Sequence, residues 1–71
     1  MAKSLPFTNK VRVLRELDEG ITQARLGELV GVTRQTIIAI EQGRYSPSLE
    51  TAFRIAKVFE VGLEDVFEWI I

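Results

Sequence analysis

The stretch Thr33-Arg34-Gln35-Thr36 places four polar residues, none of them acidic, directly ahead of an apolar run that starts at Ile37. A helix beginning here lacks the Asp or Glu that its N-terminal dipole would favour. That absence makes sense if the partner itself carries the negative charge. The arginine fork suits the O6 and N7 acceptors of guanine, and the glutamine amide suits N6 and N7 of adenine. Arg34 and Gln35 are also acceptable helix formers, so alone they fit a solvated face equally well. Gln23, and Arg44, Tyr45, Ser46 and Ser48 around a later loop, add donors that can hold phosphate oxygens. Two helix N-termini would add backbone N–H groups on the same surface. Grouped around one helix, these residues describe a site for double-stranded DNA.

Catalysis is poorly supplied. The chain has no cysteine, which excludes disulfides and thiolate metal sites, and no histidine, the commonest general base and zinc ligand. Of the ten carboxylates, Glu64, Asp65 and Glu68 read as a solvated acidic face, with no nucleophile–base or metal constellation around them. The expectation is a protein that is not an enzyme and needs no cofactor, metal or small-molecule ligand. Residues 1–45 hold seven basic and five acidic side chains, whereas residues 46–71 hold two and five, so a basic working face is set against an acidic far end. No apolar run approaches the roughly 20 residues of a membrane span. The start, Met1 to Pro6, leads into no apolar stretch of signal-peptide type, and a cytoplasmic location is expected.

The elements that must position these residues are short helices punctuated by Gly and Pro. With 71 residues and 46% hydrophobic content the chain folds as one small domain, 1–71 with a core over 9–69. Such a chain buries only about 60% of its unfolded surface. The first helix runs from Asn9 to Glu19, with Val11, Leu14 and Leu17 inward and Gly20 closing it. The second opens at the N-cap Thr22, places Leu26, Leu29 and Val30 on one face and stops at Gly31. A third, the recognition helix of about 33–42, opens at Thr33 and buries Ile37 and Ile40. The fourth is capped by Ser46 or Ser48 and carries the stripe Leu49, Ala52, Ile55, Ala56 and Phe59; the last runs from Leu63 to about Trp69. No segment alternates apolar and polar residues over a useful length, so the fold class is all-α with five helices.

Between the second and third helices, Val30-Gly31-Val32-Thr33 is a very short turn, with Gly31 where positive φ is needed and Val32 aimed into the core. Gly27 offers no side chain on the inner face, so the two helices can approach closely. Two short helices joined this way describe a helix-turn-helix, although an αα-hairpin without a DNA role shares the pattern.

The run Ile21-Thr22-Gln23-Ala24-Arg25-Leu26-Gly27-Glu28-Leu29-Val30-Gly31-Val32-Thr33-Arg34-Gln35-Thr36-Ile37, continuing to Ile40-Glu41-Gln42-Gly43-Arg44, resembles the lambda-repressor-like helix-turn-helix family of xenobiotic-response-element (Cro/C1) type. So do Pro47 to Ala52 and Leu63 to Phe67, and the likeness covers about residues 10–69. It implies a five-helix domain that binds operator DNA as a two-fold dimer and regulates transcription. By position, Arg34, Gln35, Thr36 and Ala39 would face base edges, Ala39 through apolar contact only. Gln23 would anchor a phosphate and support the recognition helix, Thr33 would cap that helix beside the backbone, and Arg15 and Glu41 look like the family's internal ion pair. Three positions depart from the family pattern. Gly27 replaces the usual Ala, at about 1 kcal/mol of helix propensity. Four residues rather than three separate Arg15 from Gly20, which lengthens the first turn and loosens the expected pairing. Gly62 stands where a Ser or Thr cap is common.

Leu5, Phe7, Val13, Val58, Trp69, Ile70 and Ile71 fall outside the expected core stripes. Except for Val13 they form the expected homodimer interface, with short strands possible at the termini, because a domain this small gains stability by self-association. Two recognition helices would then lie about 34 Å apart. The reading is a small homodimeric repressor with no room for a separate sensor domain. The rival is a protein-binding adaptor or antitoxin-like module on the same fold, whose apolar ends would meet a different chain.

Overall fold

The structure, a computed structural model, describes residues 5–70. Its elements run β1 (Phe7–Asn9), α1 (Val11–Leu17), α2 (Gln23–Val30), α3 (Arg34–Glu41), α4 (Leu49–Val58), α5 (Leu63–Val66) and β2 (Phe67–Trp69). Three helices begin on a hydroxyl cap. Thr22 Oγ1 accepts from the Arg25 N–H, Thr33 Oγ1 from Thr36 and Ser48 Oγ from Thr51, each satisfying a donor with no partner inside its helix. Ser48, rather than Ser46, is therefore the cap of α4. Gly62 has no side chain to offer, and the Asp65 carboxylate compensates by accepting from the Gly62 N–H at 2.8 Å.

The short strands expected at the termini are present, and they shorten the first and last helices. Asn9 belongs to a strand and not to the first helix, and the last helix stops at Val66 instead of reaching Trp69. β1 and β2 pair antiparallel within the one chain, with Phe7 opposite Trp69, Thr8 opposite Glu68 and Asn9 opposite Phe67. The pairing is extended by Lys10 N–H to the Val66 carbonyl at one end and Ile70 N–H to the Pro6 carbonyl at the other. Directly opposed residues share a face, so Phe7, Asn9, Phe67 and Trp69 lie on one side of the ribbon. There the Phe7 and Phe67 rings meet edge to face with centroids 5.9 Å apart.

Val11, Leu26, Val30, Ile37, Ile40, Ile55, Ala56 and Val66 form one buried cluster that takes a residue or more from each helix. Each of the larger ones contributes about 1.5–3 kcal/mol by leaving water. Val32 packs against this cluster from the turn, as expected, and so does Val58, which is a core residue and not a free surface one. Leu17, Leu29 and Leu49 were expected inside and are exposed. Leu17 follows Val11 by six residues, which at about 100° per residue turns it some 120° away from the core direction.

The α2–α3 turn is held by glycine geometry. Gly31 has φ +81°, a left-handed conformation that other side chains rarely adopt. A Cβ on Gly27 would lie 2.7 Å from the Val32 carbonyl oxygen. The backbone of the turn occupies that space, so Gly27 lets the turn fold back onto α2.

Candidate nucleic-acid interface

Behind the exposed side of α3 lies a closed polar network. Arg15, in the last turn of α1, clasps Glu41 at the end of α3 with a two-point fork, Nε to Oε2 at 2.8 Å and Nη2 to Oε1 at 3.3 Å. Its remaining arm, Nη1, donates to the Ile21 carbonyl at 3.1 Å. Gln23 Nε2 donates to Glu41 Oε1 at 3.1 Å, which sets the orientation of its amide, since a carboxylate can only accept. The Arg15 and Glu41 side chains are 14% and 6% exposed, so water screens the pair little. The longer first turn does not prevent the pairing. Glu19 and Gly20, both at positive φ, bend the chain back so that Ile21 reaches Arg15.

This network ties α1, the start of α2 and the end of α3 together and thereby sets the attitude of α3. A second tether comes from the strand side, where Asn9 Nδ2 donates to the Ile40 carbonyl at 2.8 Å and Asn9 Oδ1 accepts from the Val11 N–H. On the outer side of α3, Arg34 and Gln35 are exposed at the first turn, and Thr36 and Ala39 are half-buried. Thr36 lies within 3.1 Å of the Thr33 hydroxyl, so both threonines belong to the capped end of the helix. Among the described residues Arg34 has no ion-pair partner. Ile38 and Gln42, four and eight residues after Arg34, line with it and Gln23 a solvent-open concavity between α3 and α1. Neither belongs to the expected DNA contacts, although the helical spacing from Arg34 points to them.

Residues of the α3–α4 loop separate by role. Arg44 and Tyr45 are exposed. The Ser48 hydroxyl is committed to its cap and to Thr51 Oγ1 at 3.0 Å. Ser46 lines a different hollow, an apolar groove of about 450 Å³ walled by Phe7, Pro47, Leu49, Leu63 and Trp69. Of the residues expected at a dimer interface, Leu5 and Phe7 are half-buried, and Trp69 and Ile70 are exposed at 67% and 56%. Ile71 lies outside the described residues. Among those residues no helix is long and apolar enough to cross a membrane, and no group of acidic side chains is placed to hold a metal ion.

A sequence profile of the helix-turn-helix family matches residues 11–66. The chain belongs to this helix-turn-helix family. The match begins at the first residue of α1 and ends at the last of α5, so β1 and β2 lie outside it. An uncharacterized HTH-type transcriptional regulator of Methanocaldococcus jannaschii is 54% identical over 59 residues, 83% of this chain and 88% of that one. The HTH-type transcriptional regulator YgzD of Bacillus subtilis, also uncharacterized, is 55% identical over 62 residues, 87% of this chain and 91% of its own. The transcriptional repressor RstR of a cryptic CTXphi phage in Vibrio cholerae is 33% identical over 60 residues, 84% of this chain and 53% of RstR. Within the family's architecture α2 and α3 are the helix-turn-helix pair, and α3 stands where a helix-turn-helix protein carries its recognition helix.

Proposed function

We propose that this DNA-binding transcriptional regulator acts as a small homodimeric repressor that reads an inverted-repeat operator through the major groove. The observation that carries the reading is the contrast across α3: Arg34 and Gln35 are free at its open first turn, and the helix behind them is fixed by Arg15, Glu41 and Gln23. Side chains held on so constrained a helix can discriminate base edges because little freedom is lost on binding. Arg34, Gln35, Thr36 and Ala39 face the bases. Gln23, Thr33, Arg44, Tyr45, Ser46 and Ser48 lie along the phosphates. The second N–H of the Gln23 amide is the donor that Glu41 leaves over. The repressor sign rests on the likeness to RstR.

Leu5, Phe7, Trp69 and Ile70, with Ile71 beyond the described residues, supply the dimer contact, and Val58 supports it from the core side. The apolar groove gives the adaptor or antitoxin-like alternative its foothold, since a foreign chain could cover it instead.

Selection of bound duplexes from a random DNA library at near-physiological salt tests the reading. An enriched inverted repeat, with half-sites one helical turn apart, is the expected outcome. Salt-sensitive binding without enrichment would favour the adaptor. On the enriched duplex, Arg34→Ala is expected to cost about 1–3 kcal/mol at particular base pairs. Equal losses on every sequence would refute a base-reading role for Arg34.

A further inference from the structure

Three arginines line the concavity beside α3, and the interface described above uses only two of them. Arg15 is fixed on Glu41 and the Ile21 carbonyl, and Arg34 stands at the start of the recognition helix. The third, Arg12, is on the second position of α1, and its side chain is 72% exposed. The hollow has a volume of about 480 Å³ and is open to solvent, lined by Arg12 from α1, Gln23 from α2 and Arg34 from α3.

Helix electrostatics give little reason for a cation at this position. Arg12 puts one in the first turn of α1, against the helix dipole. Its one ion-pair partner among the described residues is Glu16 at 3.1 Å, four positions later. The acid then follows the base, the less favourable order for such a pair. Glu16 is itself 57% exposed, and a pair so open to water contributes little and is readily exchanged for another anion.

We propose that Arg12 is a further DNA-backbone contact, holding a phosphate at the concavity it lines with Gln23 and Arg34, and that Glu16 competes with the phosphate for it. The inference rests on the DNA-binding reading of α3. A guanidinium satisfies a phosphate with two parallel N–H bonds, which a shared surface carboxylate matches only by bringing its own charge beside the DNA. Glu16 accordingly weakens binding on every sequence, and Arg12 strengthens it on every sequence.

Titration of the full chain and its variants with the enriched operator and with a scrambled duplex, between about 50 and 200 mM salt, tests the assignment. Arg12→Ala is expected to shrink the slope of log affinity against log salt by about 0.9, so that raising the salt weakens it about threefold less than the unaltered chain. Both duplexes should lose affinity alike, leaving their ratio unchanged. Arg12→Lys should retain the slope, and Glu16→Gln should tighten both duplexes. Because Arg12 and Glu16 are exposed, an unchanged urea midpoint separates these effects from folding. An unaltered slope for Arg12→Ala overturns the proposal, as does a loss confined to the operator, which would make Arg12 a base reader. If the unaltered chain binds neither duplex, the DNA-binding reading itself falls, and the role of Arg12 falls with it.

Discussion

On the Arg15 side of the molecule polar groups close upon one another, whereas on the sheet side apolar groups are left facing water. The fork from Arg15 to Glu41, the Gln23 amide and the Ile21 carbonyl form a network complete within one chain. Around the groove, Leu49 and Trp69 remain 67% exposed even though the Phe7 and Phe67 rings pack together beside them. The difference separates two tasks. A helix that must present side chains to a rigid partner gains from internal closure, because its geometry then exists before binding. An apolar groove on so small a domain gains from being completed by another molecule. The family match covers the closed side and stops where the sheet begins.

The contrast can be broken from its closed side first. Glu41→Ala leaves the nearly buried Arg15 guanidinium without its counter-charge, and a loss of about 3 kcal/mol in urea unfolding is expected. Replacing both partners, Arg15→Met with Glu41→Leu, should restore much of that stability while leaving Gln23 untethered. A second change, Gly27→Ala, improves helix propensity by about 1 kcal/mol. It also drives a methyl into the Val32 carbonyl, so a net loss of about 1–2 kcal/mol is expected from thermal or urea melts. A gain in stability would mean that the turn yields easily and that α3 is less constrained than its contacts indicate. On the open side the expected effect on folding is the smallest. Trp69→Asp should leave the monomer's stability within about 0.5 kcal/mol, because the indole is mostly in water. Light scattering at high micromolar concentration should show the unaltered chain as a dimer and this variant as a monomer. Monomers in both cases would remove the homodimer and direct attention to a foreign partner for the groove.

The closed side was also the legible side. Thr22 and Thr33 announce their helices because a short hydroxyl side chain can satisfy an N–H that the helix leaves open. Gly31 marks the turn because few other residues accept its φ. The Arg15–Glu41 pair came from family resemblance rather than from spacing, since nothing local links residues 26 positions apart. The sheet was legible only as short strands at the termini, not in its extent or its pairing. Three-residue strands are too short to show an alternating pattern, and each exists only because the other end of the chain lies beside it. Leu17 and Leu49 were misplaced for a related reason. Hydrophobic type suggests burial, but at a helix end the direction of the side chain decides it.

Phe7 faces Trp69, and the chain enters and leaves the ribbon at this same edge. A pulling force applied to the two ends would therefore not load the ladder in shear. It would open the hydrogen bonds one after another from the Pro6–Ile70 contact inward, as a zip is drawn. The ribbon would part before any helix felt the tension. Beyond the last rung, from Lys10 N–H to the Val66 carbonyl, the load would pass into α1, and Asn9 and Arg15 would together carry it to the end of α3.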